Sequence, residues 1–221
     1  MAEETKARVK EIIAALRKAY PDAKVSLDFS TPHELLVATI LAAQSTDVNV
    51  NKVTPALFRK YRSPQDFADA DPRELEQIIH STGFFRQKAR AIIESAQDIV
   101  NFHGGKVPDT MEELVRLRGV GRKTANVVLS AAFGKPGLIV DTHVLRVSGR
   151  LGLADPRLVE KKDADKVERE LMEVVPEEDW ANFSNLLVAL GRAICTARSP
   201  RHEICPVLHL CPTGQKAMSA R

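Results

Sequence analysis

Long apolar runs are missing from this 221-residue sequence. No stretch approaches the roughly 20 residues that a membrane span requires. The first ten residues, MAEETKARVK, hold no apolar segment of the kind a secretory signal uses, so a cytoplasmic protein without a membrane partner is expected. Cysteine is absent before position 195, and the three present, Cys195, Cys205 and Cys211, fall in the last 27 residues. An odd number crowded at one end argues against a disulfide framework and for a metal or cluster site. Strand-like alternation is nearly absent; residues 138–140 (Leu-Ile-Val) read as one short, isolated extended segment. Internal repeats, low-complexity segments and long linkers are also missing. Acidic residues are missing from 115–150 except for Asp141, while Arg116, Arg118, Arg122, Lys123, Lys135, Arg146 and Arg150 share that stretch. Such a run is an ordinary solvated face or a nucleic-acid surface. The lone carboxylate inside it is worth following.

What is present describes a globular chain, 44% hydrophobic and 28% charged with a formal net charge of +3. The length suits one large domain or two small lobes, with crossings near residues 24 and 136. Val9, Ile12, Ile13, Leu16 and Tyr20 recur at helical spacing, which predicts a helix over 4–20 ended by Pro21. Thr31-Pro32-His33-Glu34 reads as a capping box with proline at the first helical position. The helix it opens, to about residue 43, is apolar on most sides and is expected at the centre of a bundle. Asp71 to Glu74 and Thr110 to Glu113 repeat the capping signal, and 177–194 carries one apolar face. These signals predict an all-α protein of ten or eleven helices.

The most informative segment is 114–125. A short helix is expected to end at Leu117, Gly119 and Gly121 flank Val120, and a second helix starts near Arg122. The glycines permit positive φ and a close backbone approach. The first backbone N–H groups of the second helix suit a phosphate. The competing reading is a helical corner with no ligand. Lys123 sits in the first turn of the second helix, where the helix dipole and nearby arginines disfavour an ammonium. An amine so placed can act as a nucleophile, or Lys123 is one more surface lysine. A helix over 122–133 would be about 18 Å long, and three extended residues return about 10 Å. Asp141 can thus come back toward the hairpin, or serve only as the N-cap of a helix over about 142–151.

Residues 117–125 followed by Val140-Asp141-Thr142-His143 resemble the endonuclease III family of helix–hairpin–helix DNA glycosylases. Residues 41–47 (LAAQSTD), 81–85 (STGFF) with Lys88-Ala89, and 191–211 also resemble that family, so the likeness covers nearly the whole chain. It implies a two-lobed all-α fold: a six-helix barrel over 24–136, and a second lobe formed by 1–23 and 137–221 with a cluster loop at 195–211. It implies a monomeric, nucleoid-associated enzyme that excises oxidised pyrimidines from duplex DNA and cleaves at abasic sites. Lys123 would attack C1′ and form a Schiff base, followed by β-elimination. Asp141 would either deprotonate Lys123 or stabilise charge on the sugar. Gln44 and Phe84 would fill the space left by the extruded nucleotide. Gly119, Val120, Gly121, Arg122, Thr124, Thr142 and His143 would contact DNA. Two alternatives are a glycosylase for mismatched or deaminated pyrimidines and a non-catalytic damage-binding protein.

The chain departs from the family pattern in three places. Phe84 stands where relatives often have an aliphatic residue. Arg118 stands where proline is common, and could add a phosphate contact. The family's [4Fe–4S] loop reads Cys-x6-Cys-x2-Cys-x5-Cys, whereas here it reads Cys195-x6-His202-x2-Cys205-x5-Cys211. The ligand set implied is Cys195, His202, Cys205 and Cys211. An incomplete cluster held by three cysteines, and zinc on the same residues or no metal at all, are the competing outcomes. His209 matches no ligand position and is read as structural; Arg192, Arg198 and Arg201 are read as backbone contacts.

Overall fold

Start signals written into the sequence open most of the helices, and the residues they bring together sort into two separate cores. The computed structural model describes residues 2–220. Thirteen α-helices and four short 3-10 turns run through them, with no strand among the described residues. The chain divides into one compact unit over Ser26–Lys135 and another formed by Met1–Val25 with Pro136–Arg221.

The N-terminal helix α1 (Ala2–Ala19) belongs to the second of these units. The Ser26–Lys135 unit holds α2 (Pro32–Ala42), α3 (Asp47–Lys60), α4 (Pro64–Ala68), α5 (Pro72–Ile79), α6 (Phe85–His103), α7 (Met111–Leu114) and α8 (Arg122–Phe133). Two of these helices are five residues or shorter. Helix α2 starts where Thr31 accepts the N–H of Glu34, with Pro32 in its first turn. Its all-round apolar surface is buried: Leu35, Leu36, Val37, Ala38, Ile40 and Leu41 all lie in the core. Helices α3, α6 and α8 pack against it. Each buried Leu or Ile contributes about 1.5–3 kcal/mol of transfer free energy, so a helix with no polar face is stable only in such a central position.

The other unit combines α1 with α9 (Thr142–Arg150), α10 (Pro156–Lys161), α11 (Ala164–Val174), α12 (Trp180–Ala193) and α13 (Pro212–Ser219). Val9, Ile12, Ile13 and Leu16 on the apolar stripe of α1 share a core with Phe183, Leu187 and Leu190 of α12. Arg8 ties the same helix to the cluster end of the unit, donating to the carbonyls of Leu151 and Leu210.

Residues 138–140 stand alone, as the sequence indicates: Leu138 and Val140 pack into the core of the second unit, and the Ile139 N–H is satisfied by Ser184 Oγ at 2.9 Å. With no neighbouring strand to pair with, the buried segment borrows a side-chain acceptor. Several expectations are corrected. Helix α7 ends at Leu114, not Leu117. The helix expected over 177–194 begins as a 3-10 turn, Glu177–Asp179, before α12. The three expected capping boxes are incomplete: the Glu34 carboxylate accepts from Ser30 N rather than Thr31 N, Glu74 turns instead to Lys60 and Tyr61, and Glu113 accepts from the Thr110 hydroxyl.

Candidate active site and nucleic-acid interface

The hairpin between α7 and α8 is fixed by one glycine. Gly119 sits at φ 75°, and a Cβ built there would lie 2.6 Å from the Cβ of Ala91 in α6. Both conditions exclude a side chain. Gly121 differs from expectation: its φ is −94°, so it does not use the left-handed region. Its contribution is the open space beside its α-carbon, at the N-cap of α8, where no side chain closes off the helix end. Val120 between them is buried and anchors the turn. Arg118 is engaged by Glu94 at 3.2 Å, so the extra arginine braces the hairpin against α6. Lys123 lies in the first turn of α8 and is exposed; Arg122 and Thr124 are partly buried.

Within the same unit, Gln44, Phe84, Gly119 and Thr124 line one open groove of about 460 Å³, together with Arg90 and Arg118. Segments 80 residues apart in sequence therefore meet on one surface. Phe84 is 58% exposed, whereas Phe85 beside it packs on His80 with ring centroids 4.4 Å apart. Core packing thus accounts for Phe85 and not for Phe84. Gln44 (φ 54°) and Phe84 (φ 47°) both hold left-handed backbone, a conformation that costs a non-glycine residue about 1–3 kcal/mol and clusters at functional sites.

Lys88 and Ala91 also line this groove and were not singled out from the sequence pattern. Lys88 occupies an apolar-face position of α6, in step with Ile92 and Ala96, and is only 5% exposed. A lysine on that stripe was the available signal. Burial holds its pKa below the ordinary lysine value.

In the other unit, Asp141 is the N-cap of α9. Its Oδ1 accepts the N–H groups of His143 and Val144 at 2.7 and 2.8 Å. The second carboxylate oxygen takes no part in this cap. Thr142 is exposed at the start of α9, and His143 Nδ1 meets Arg146 Nη2 at 3.1 Å. Gly191 admits both side chains, since a Cβ there would lie 3.0–3.1 Å from them.

Cys195, His202, Cys205 and Cys211 line one cavity of the same unit. A Cβ at Gly214 would sit 3.3 Å from His202 Nδ1 and 3.5 Å from Cys211 Sγ, so two donors border a space that only glycine leaves clear. Arg150 donates to Cys195 Sγ at 3.2 Å and to the Thr196 and Ala197 carbonyls, stapling the loop to α9. Burial pushes the Cys205 and Cys211 thiols up, and the neighbouring thiols add to it. Three thiols and an imidazole around one cavity are the donor types that hold an iron–sulfur group. No three His, Cys, Asp or Glu side chains among the described residues stand close enough to chelate a single ion. His209 is exposed, and its carbonyl accepts from Gln215. Arg201 is committed to the Ala193 carbonyl.

Comparison with known proteins gives a consistent picture. Residues 37–177 match the family model described as HhH-GPD superfamily base excision DNA repair protein. Residues 195–211 match the iron-sulfur binding domain of endonuclease III. Endonuclease III from Synechocystis sp. is 52% identical over 211 residues, covering 95% of this chain and 94% of that protein. A solved non-covalent endonuclease III–DNA complex superposes with a TM-score of 0.89 at 44% identity, over 97% of this chain and 98% of the other. A trapped endonuclease III–DNA covalent intermediate matches with the same score and identity, over 96% and 98%.

Proposed function

The chain belongs to the HhH-GPD superfamily of base excision DNA repair proteins and, within it, to the endonuclease III family, and from that premise we propose what each of its residues does. The protein is a DNA glycosylase and abasic-site lyase that removes damaged pyrimidines from duplex DNA. Its chemistry requires the target nucleotide outside the stack, because C1′ cannot be reached within the helix. Gln44 and Phe84 take up the vacated space, and the hairpin around Gly119 and Gly121 receives a backbone phosphate through the N–H groups at the start of α8. Thr124, Thr142 and His143 add contacts to the strand.

Lys123 is the nucleophile. Its neutral Nζ attacks C1′; the glycosidic bond breaks and the base departs with the electron pair, taking up a proton. The second amine proton passes to O4′ as the C1′–O4′ bond breaks and the sugar ring opens, which leaves a Schiff base between Nζ and C1′ that solvent protonates. Loss of a C2′ proton then expels the 3′ phosphate by β-elimination. Asp141 either accepts the Lys123 proton or stabilises positive charge on the sugar. The observation that carries this assignment is the division of labour within its carboxylate: Oδ1 caps α9, so the side chain is held in place, while Oδ2 remains for chemistry.

Cys195, His202, Cys205 and Cys211 would hold a [4Fe–4S] cluster, with His202 as the fourth ligand. The donors surround a cavity rather than a point, which suits a polynuclear group better than zinc. When bound, the cluster would neutralise the thiolates and order the loop behind α9; the chemistry at C1′ belongs to the side chains. A DNA substrate places the work wherever the chromosome lies, in the cytoplasm and at the nucleoid.

The decisive experiment is borohydride trapping on a duplex carrying thymine glycol. The wild-type protein should form a covalent adduct, and Lys123→Ala should form none while still binding the duplex. Strand cleavage by Lys123→Ala at the wild-type rate would remove Lys123 from the mechanism.

A further inference from the structure

Lys88 sends its buried ammonium to two carbonyls, Leu41 O at 2.8 Å and Thr82 O at 2.7 Å. Each belongs to the closing turn of a helical segment: Leu41 to α2, Thr82 to the 3-10 turn His80–Thr82. Such terminal carbonyls lack an intrahelical partner and carry the negative end of the helix dipole, so a cation suits both. Three residues beyond Leu41 stands Gln44, and two residues beyond Thr82 stands Phe84. Both are non-glycine residues in the left-handed region. The Lys88 backbone N–H also donates to Phe84 O at 3.0 Å. One residue thus touches the base of both loops.

A second tie joins the same two segments. Asn49 of α3 donates through Nδ2 to Ser45 Oγ at 3.2 Å and to Ser81 O at 2.9 Å. Neither loop would hold a strained backbone alone, since such conformations persist only where their surroundings over-determine them.

We propose that Lys88, assisted by Asn49, is a positioning residue that holds Gln44 and Phe84 in register as one two-part plug for the space left by an extruded nucleotide. The inference rests on the reading that Gln44 and Phe84 occupy that space. Lys88 is buried and its ammonium is spent on the two carbonyls, so it acts through the loops. Its effect is confined to the extrusion step, where the plug must replace stacking and pairing energy. Once a lesion is already unstacked, a misaligned plug costs little.

The test compares single-turnover excision of thymine glycol from a paired duplex and from a bubble in which the lesion faces mismatched bases. Lys88→Met keeps the stem and removes the charge. The expected result is a loss of about tenfold or more on the paired substrate and less than about threefold in the bubble; tenfold corresponds to about 1.4 kcal/mol. A duplex with 2-aminopurine opposite the lesion reads plug insertion directly, and its fluorescence rise should be reduced in the variant. Equal losses on both substrates, or none on either, would overturn the inference. Asn49→Ala tests the second tie and takes over if Lys88→Met does not fold; it should show the same paired-over-bubble gap, and its absence there counts against the proposal. Phe84→Ala and Gln44→Ala form the control arm. A gap in these two without one in Lys88→Met leaves the plug reading standing and overturns the role of Lys88. No gap in Phe84→Ala and Gln44→Ala overturns the plug reading and this inference with it.

Discussion

Gly119 and Ala91 approach so closely that a methyl group on Gly119 would lie 2.6 Å from the Ala91 Cβ, and Gly119 holds φ 75° while doing so. The hairpin that presents the start of α8 is therefore locked to α6 by the absence of a side chain. Gly119→Ala must move α6 or the turn and adopt an unfavourable φ. We expect a loss of about 1–3 kcal/mol in urea unfolding, together with weakened duplex binding. Gly121→Ala, which meets open space at φ −94°, should leave stability within about 1 kcal/mol. Equal stability losses in the two variants would contradict this account of the hairpin.

Asp141 separates capping from catalysis by substitution. Asparagine caps a helix about as well as aspartate, so Asp141→Asn should unfold within about 0.5 kcal/mol of wild type. Without the carboxylate charge, excision should fall by about 10²-fold or more. Asp141→Ala should lose the activity and also about 1 kcal/mol of stability through the cap. Full activity in Asp141→Asn would reduce Asp141 to a cap.

His33 introduces a pH dependence unrelated to the reaction. It is 7% exposed, its Nε2 has no hydrogen-bond partner, and it packs on Phe67 with ring centroids 5.1 Å apart. Burial lowers its pKa from 6.5 to about 4. The unfolded chain therefore binds a proton between these values that the folded chain refuses. Stability present above pH 6.5 is lost as pH falls toward about 4, by up to about 3 kcal/mol. His33→Phe should flatten that part of the profile in chemical unfolding measured across the window. Parallel profiles for variant and wild type would show that His33 does not carry the effect.

His202 can be tested without any assay of DNA cleavage. His202→Ala should reduce the iron-to-protein ratio and the visible charge-transfer absorbance of the purified protein, and should lower its melting temperature. His202→Cys should retain both iron and colour, since thiolate is the usual ligand of such clusters. Iron content unchanged in His202→Ala would remove His202 from the ligand set.

Chain order and residue type alone determined the all-α class, the buried central helix α2, the hairpin with its lysine, and the cluster loop with its histidine. These depend on spacing and capping, which are local properties of a chain. Asp141 as N-cap of α9 was equally legible. Local pattern misled where a partner from elsewhere decided the outcome. Glu74 left its capping box for Lys60 and Tyr61.

Only the tertiary structure revealed that Gly119 is pressed against Ala91, that Phe84 faces outward while Phe85 packs inward, and that Lys88 gathers two helix ends 41 residues apart in the chain. The physical reason is the same in each case. Close approach, exposure and the satisfaction of orphan carbonyls are properties of pairs of distant residues, and no periodicity along one segment encodes its partner.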